Sequence, residues 1–300
     1  MPKPRALPPA LVGRPFTVTE ASALGVSRDR TRARDLITPF RGVRAPASIA
    51  LSLEGRARAY SERMSRTHHF SHETAAAIHG LPLPQRVGAN DSLHVTAQPP
   101  ARPPRMVGVI GHRPRASVAN VVTVRGLRVS NAVATWCDLA ATLDLDALIT
   151  MGDALVRRQK PFATIEDLER AIAIRRGLPG ASRLREALPF VSPGVDSPRE
   201  TQIRLILVRA GLPEPEVNPR IHNRYGASIG FADMLYRSQR VIIEYDGQDH
   251  FEGQSRMLKD IDRLDEFMEE KYRVIRFNKS HLGRRAFIVG KVRTALEDRG

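Results

Sequence analysis

Cysteine occurs once in the 300-residue chain, at Cys137. A single thiol excludes a disulfide within the chain and any cysteine-rich zinc site, and it fits a reducing cytoplasm. Long apolar runs are missing as well, and no stretch approaches the length needed to cross a bilayer. The first ten residues are proline-rich and lack the apolar segment of a secretory signal, so no leader is expected. No amphipathic lipid-binding helix stands out. Over most of the chain negative charge is scarce too. Residues 1–190 hold 28 Lys and Arg against 15 Asp and Glu, whereas residues 191–300 hold 19 against 17. The formal net charge of +15 calls for a polyanionic partner, nucleic acid before membrane. Its uneven placement suggests a division of labour. The first two-thirds would hold a phosphate backbone, and the nearly neutral last third would do something else.

In that last third, residues 241–250 read Val-Ile-Ile-Glu-Tyr-Asp-Gly-Gln-Asp-His. The β-branched start predicts a buried strand. Side chains alternate along a strand, so Glu244 and Asp246 project from one face, roughly 7 Å apart. Residues 230–236 predict the preceding strand of a hairpin, with its turn near 237–240 and Asp233 in its middle, beside Glu244. Anions gathered at the end of an apolar strand repel one another and lose solvation, and a divalent cation removes both penalties. Hard cations such as Mg²⁺ take oxygen ligands, so Asp233, Glu244 and Asp246 form a candidate metal cage. The alternative is a set of solvent-facing acids on a sheet edge.

Earlier in the chain, residues 1–14 read as a flexible basic arm. Residues 17–25 predict a short helix closed by a glycine. Ser27 is placed to cap a second helix to about Leu36, which carries Arg28, Arg30, Arg32 and Arg34. With a short strand over 40–45, this is a candidate winged helix-turn-helix whose arginines meet DNA phosphates or base edges. An arginine-rich surface helix of a small bundle is the alternative. His68, His69 and His72 cluster ahead of a helix over 71–80 with a serine start and a glycine stop. Without further ligands they read as structural or surface histidines. Strands are expected at 93–97, 106–113 and 121–130, and helices at 131–143, 146–158, 164 onward and 181–188. Residues 192–196 predict a linker. Ser197-Pro-Arg-Glu200 then opens a helix to 210, with Glu200 either closing a capping box or leaning toward the acids. A helix over 257–271 places Asp260 and Arg263 one turn apart, where they also suit an ion pair. A strand over 273–278 carries Arg276, and a last helix follows.

The order helix, three strands, helix, strand, helix carries Glu200, Asp233, Glu244-Tyr-Asp246-Gly247, His250, Asp260, Arg263 and Arg-Val-Ile-Arg276-Phe. It resembles the very-short-patch-repair-like endonuclease family (domain of unknown function 559) of the PD-(D/E)-x-K nuclease superfamily. The part before it resembles the AbiEi-type antitoxin N-terminal region. That likeness rests on Ser71-His-Glu-Thr-Ala-Ala-Ala-Ile-His-Gly-Leu-Pro, Gly126-Leu-Arg-Val-Ser and Asp153-Ala-Leu-Val-Arg. The resemblances imply a mixed α/β (α+β) multidomain chain: a winged helix-turn-helix over 1–48, an AbiEi-like α+β middle over 49–192, and a restriction-endonuclease-like αβββαβα domain over 193–300. They imply a DNA endonuclease using Mg²⁺ or Mn²⁺ on Asp233 and Glu244. On that resemblance Asp246 would serve as a further ligand and His250 as a general base or phosphate contact. Glu200, Asp260, Arg263 and Arg276 play supporting roles. Asp246 stands where the superfamily usually has lysine, and an aspartate cannot stabilise phosphate charge as lysine does. The alternative is a catalytically inactive, antitoxin-type transcriptional regulator that binds DNA. DNA is the implied partner, in the cytoplasm, with room for a homodimer and for a toxin or defence-system partner.

Overall fold

A computed structural model describes residues 4–47, 52–84, 91–114, 121–247 and 254–299, with the side chains of 254–261 outside the described part. The architecture is mixed α/β, with several sheets and many helices. Among the described residues no helix is long and apolar enough to cross a membrane. The chain divides into two compact units. One comprises Met1–Leu148 with Glu166–Glu186, and the other Ile149–Ile165 with Ala187–Gly300.

The first unit begins with strand β1 (Phe16–Thr17), helix α1 (Val18–Ala23) and strands β2 (Leu36–Ile37) and β3 (Val43–Pro46). The three strands form a sheet in the order β1-β3-β2. Leu11 is buried with Phe16 and Ala21, so residues 9–11 pack against this element instead of forming a free arm. Thr17 caps α1 by accepting from the Glu20 N–H, as its position predicts. The basic helix expected from Ser27 to Leu36 is not there. The Ser27 hydroxyl accepts from the Arg30 N–H, but only a 3-10 turn, Arg30–Arg32, follows. Helical spacing would stack Arg28 on Arg32 and Arg30 on Arg34, and like charges at that spacing oppose a helix. Arg30 instead makes a bidentate pair with Asp35 at 2.9 and 2.8 Å. Arg28, Arg32 and Arg34 are exposed around the turn.

Next come helices α2 (Leu53–Ser61) and α3 (His72–His79) and a five-stranded sheet. Its strands are β4 (His68–Phe70), β5 (Leu93–Ala97), β6 (Val109–His112), β7 (Val121–Val124) and β8 (Leu127–Ser130), in the order β6-β5-β4-β8-β7. Phe70, Leu93, Val95, Val109 and Val129 point to one face and bury against Tyr60, Ala75 and Ile78 of the two helices. Helix α4 (Ala132–Leu139) is capped by Asn131 and carries Trp136, whose indole N–H donates to the Leu148 carbonyl at 2.9 Å. Helices α5 (Leu145–Leu155), α6 (Ile165–Ile174) and α7 (Ala181–Ala187) complete the run.

In the second unit α8 (Pro198–Arg209) precedes strands β9 (Glu216–Val217), β10 (Arg220–His222), β11 (Ser228–Phe231), β12 (Met234–Tyr236) and β13 (Val241–Asp246). Helix α9 (Gln254–Glu269), strand β14 (Arg273–Asn278) and helix α10 (Arg285–Glu297) follow. The sheet β14-β13-β12-β9 is mixed, because β13 runs parallel to β14 and antiparallel to β12. Ile203 and Leu207 of α8, with Ile288 and Val292 of α10, cover one face through Ile243, Ile275 and Phe277. Phe267 of α9 covers the other, against Leu235 and Ile242.

The segment expected as a linker at 192–196 is built into this unit. Asp153 accepts from the Ser192 N–H (2.8 Å), the Thr201 hydroxyl (2.7 Å) and Arg204 (3.3 Å). Arg204, only 1% exposed, also binds the Phe190 carbonyl and Glu214. The expected boundary at residue 192 therefore falls inside the unit. Breaking a buried ion pair by removing one partner costs roughly 3–5 kcal/mol, against under about 1 kcal/mol for a half-exposed one. In urea titrations Arg204→Ala should fall in the first range and Arg158→Ala, whose partner is Asp196, nearer the second. The Arg204→Ala loss should be larger at pH 8 than at pH 5. Burial already pushes the Asp153 carboxyl up to about 6, so at the lower pH it takes a proton. Equal, small losses for both variants would contradict the network's role.

Candidate functional site

Ser197 stands at the N-cap of α8, where its hydroxyl accepts from the Glu200 N–H at 3.2 Å. Pro198 fits the first turn, since its missing N–H has no partner there anyway. The Glu200 carboxylate turns back to accept from the Asp196 N–H at 3.0 Å and from Asn218 at 2.9 Å. The carboxylate thus passes the N-cap N–H that a capping box would use and takes the one before it. It also lies close enough to Asp233 to act on its charge. Burial pushes the Glu200 carboxyl up, against the pull of its hydrogen bonds.

Asp233 does not lie inside one continuous strand. The chain leaves β11, which pairs with β10, and enters β12 of the other sheet, and Asp233 occupies the bend between them. Its carbonyl accepts from the Asn218 N–H and its carboxylate from the Tyr245 N–H, at 2.9 and 2.6 Å. The hairpin turn falls at residues 237–240 as expected, and the ladder pairs Met234 with Ile243. One step further along, Asp233 stands opposite Glu244.

Glu244 and Asp246 share the α9 face of β13, as alternation requires. They then part. Glu244 is 7% exposed and pairs with Arg263 of α9 at 3.0 Å. Half-buried Asp246 pairs with Arg276 of β14, also at 3.0 Å. Arg276 lies beside Glu244 in the parallel register, so its side chain slants along the strand to reach Asp246. Arg263 also donates to the Phe231 carbonyl at 2.6 Å. To do so it crosses Gly230, where a Cβ would stand 3.0 Å from the arginine's Cδ. The three acids expected to converge do so only in part. Asp233 and Glu244 are adjacent, while Asp246 turns to its own arginine. His250 and the side chain of Asp260 lie outside the described residues.

Burial and neighbouring acids act together on Asp233. The Asp233 carboxyl is pushed up to about 8, first by burial, then by Glu244 and Glu200, against the Tyr245 N–H and Arg263. As donors these are hard carboxylate oxygens, the chemistry that suits Mg²⁺ or Mn²⁺. Asp233 and Glu244 fit such an ion by charge and position, and Asp246 does not join them.

Among the described residues a second group could hold a metal: His72, His94 and His112 of the first unit. It differs from the sequence cluster His68, His69 and His72. His68 and His69 alternate across β4, with His68 facing the Arg102 carbonyl and His69 fully buried. The signal for the true neighbours was alternation. His94 and His112 occupy the positions of β5 and β6 that face away from Leu93, Val95 and Val109.

No family model matches the chain. It is similar to two proteins from strains of Mycobacterium tuberculosis, described as "Uncharacterized protein MT2308" and "Uncharacterized protein Rv2248". Each is 27% identical over 229 residues, which is 76% of this chain and 77% of the relative.

Removing the excess acid should stabilise the fold. Unfolded, Asp233 loses its proton near the ordinary 3.8, whereas folded it keeps it to about 8. Between those limits the folded state alone binds the proton, so its contribution to stability falls as pH rises. Asp233→Asn should therefore raise Tm at pH 8 and leave it nearly unchanged at pH 3.5. A Tm lowered at both pH values would mean that the carboxylate is a net structural asset.

Proposed function

We propose that the chain is a metal-dependent DNA endonuclease that hydrolyses phosphodiester bonds, with its basic N-terminal region serving to bind DNA. The observation that carries this reading is the buried pair Asp233 and Glu244 on neighbouring strands, near Glu200, with Arg263 on Glu244. Asp233 and Glu244 would hold Mg²⁺ or Mn²⁺, which when bound supplies an activated water and stabilises charge on the phosphate. The chain's own groups account for the rest. The Tyr245 N–H fixes the Asp233 carboxylate through a short bond, so the acid needs no rearrangement to act. Arg263 and Arg276 stand on the same face as the acids, and guanidinium groups pair with phosphate oxygens two at a time. The exposed Arg28, Arg32 and Arg34, together with the charge excess of the N-terminal two-thirds, support sequence-independent backbone contacts.

A second reading has its own support. Glu244 and Asp246 are each paired with an arginine, as in a nuclease-like domain that has lost its metal and serves interaction. On that reading the chain is a DNA-binding regulator of antitoxin type.

Supercoiled plasmid separates the two. With Mg²⁺ or Mn²⁺ the wild type should nick or linearise it, and Asp233→Ala and Glu244→Ala should lose about a hundredfold or more in rate. All three should shift DNA on a gel, with affinity falling steeply as salt rises. Equal cleavage by all three would remove the proposed site. DNA binding without cleavage by the wild type would favour the regulator.

A further inference from the structure

We propose that His72, His94 and His112, with Glu73, form a binding site for a divalent transition ion, Zn²⁺ foremost. Three separate elements supply them: the first turn of α3, strand β5 and strand β6. Around a tetrahedral zinc at 2.0–2.1 Å, neighbouring donor atoms stand about 3.3 Å apart. His94 Nδ1 lies 3.0 Å from His112 Nε2 and 3.3 Å from Glu73 Oε2. One donor atom from each histidine falls within 4.8 Å of the other two. The spacing is thus already near that of a coordination shell, and small side-chain rotations complete it.

Two features of the backbone point the same way. His72 has φ of 50°, a left-handed conformation that a non-glycine residue adopts at a cost and that recurs at functional sites. It places the imidazole in a stack 3.8 Å from His112, centroid to centroid. Ser71 occupies the N-cap of α3 yet makes no capping bond. Its hydroxyl accepts from Thr96 at 2.8 Å and stands 3.0 Å from His72 Nδ1. Ser71 Oγ thereby orients the ring, and on the proposal Nδ1 donates to it and Nε2 is the ligand. Such outer hydrogen bonds orient ligating histidines and are a regular part of metal sites. A serine that gives up its cap to hold a histidine trades local helix stability for ring orientation.

Donor chemistry selects the ion. Three imidazoles and one carboxylate suit zinc over Mg²⁺ or Ca²⁺, which prefer oxygen throughout. With Glu73 in the fourth position the shell is closed, which makes the site structural: a clip fastening α3 to the β5–β6 edge.

The test uses full-length protein without a histidine tag, stripped with chelator. With excess Mg²⁺ present to occupy the carboxylate site, Zn²⁺ titrated by calorimetry should bind tightly at one ion per chain and raise Tm, and one equivalent of Co²⁺ should give the visible absorption of a tetrahedral nitrogen–oxygen site. His94→Ala and His112→Gln should each weaken zinc by more than about a hundredfold, and Glu73→Gln by about 10–100-fold. His68→Ala should bind as the wild type does. If the histidine variants fail to fold, the wild-type stoichiometry and cobalt spectrum decide alone. Substoichiometric zinc in the wild type, an octahedral cobalt spectrum, or unchanged binding by a folded His94→Ala would overturn the site.

Discussion

Arg263 joins helix α9 to the acid-bearing strands, and the electrostatics of that face depend on how far one guanidinium can serve several carboxylates. It reaches the Phe231 carbonyl and one oxygen of Glu244. Asp233 receives a neutral N–H from Tyr245 instead. A neutral donor offsets a buried carboxylate's lost hydration only partly, whereas a full charge a few ångströms away interacts several-fold more strongly. Burial and its acidic neighbours therefore favour a proton on Asp233. On the proposed function that proton and a bound cation compete, and only the cation would polarise a phosphate. Gly230 belongs to the same constraint, since a Cβ there would stand 3.0 Å from the arginine's Cδ and press it aside by a few tenths of an ångström.

Much of this face was legible in the sequence, and the reasons are local. Glu-x-Asp on an apolar run fixes which face the acids share. The 237–240 turn sets the register, and Ser-Pro-Arg-Glu specifies the start of α8. What was not legible depends on long-range competition. Nothing in residues 230–236 says that the chain will change sheets at Asp233, because the cause lies at Asn218, which takes the Asp233 carbonyl. Nor does Asp246 announce that it will turn from its neighbour to Arg276, a residue 30 positions away. The missing helix after Ser27 was readable in principle. Repulsion among Arg28, Arg30, Arg32 and Arg34 at helical spacing opposes the cap signal of Ser27.

The histidine cluster shows the limit of reading by sequence proximity. Neighbours in sequence, such as His68 and His69, are sent to opposite faces by the strand's pleat. His72, His94 and His112 are 18 or more positions apart, yet sheet pairing and a left-handed turn bring them together. The buried network around Asp153 has the same character, with partners at Ser192, Thr201 and Arg204 that no local pattern connects. It also explains why residues 149–165 group with the C-terminal part of the chain.

On the proposed readings, the two sites are sorted by donor chemistry, with imidazoles in one unit and carboxylates in the other. Neither needs the other's ion, so a structural zinc and a catalytic magnesium are compatible in one chain. The arginine pairs, which favour the inactive reading when taken as final, also have a place in the active one. Each guanidinium that faces a carboxylate is already aimed along the acid-bearing face. On that reading a DNA phosphate offers Arg276 an anionic oxygen in place of the Asp246 oxygen it meets now. The pair at half-buried Asp246 is the one that yields to such exchange, since solvent already weakens it. The pair at buried Glu244 holds unless a stronger charge arrives there, and a divalent cation is such a charge.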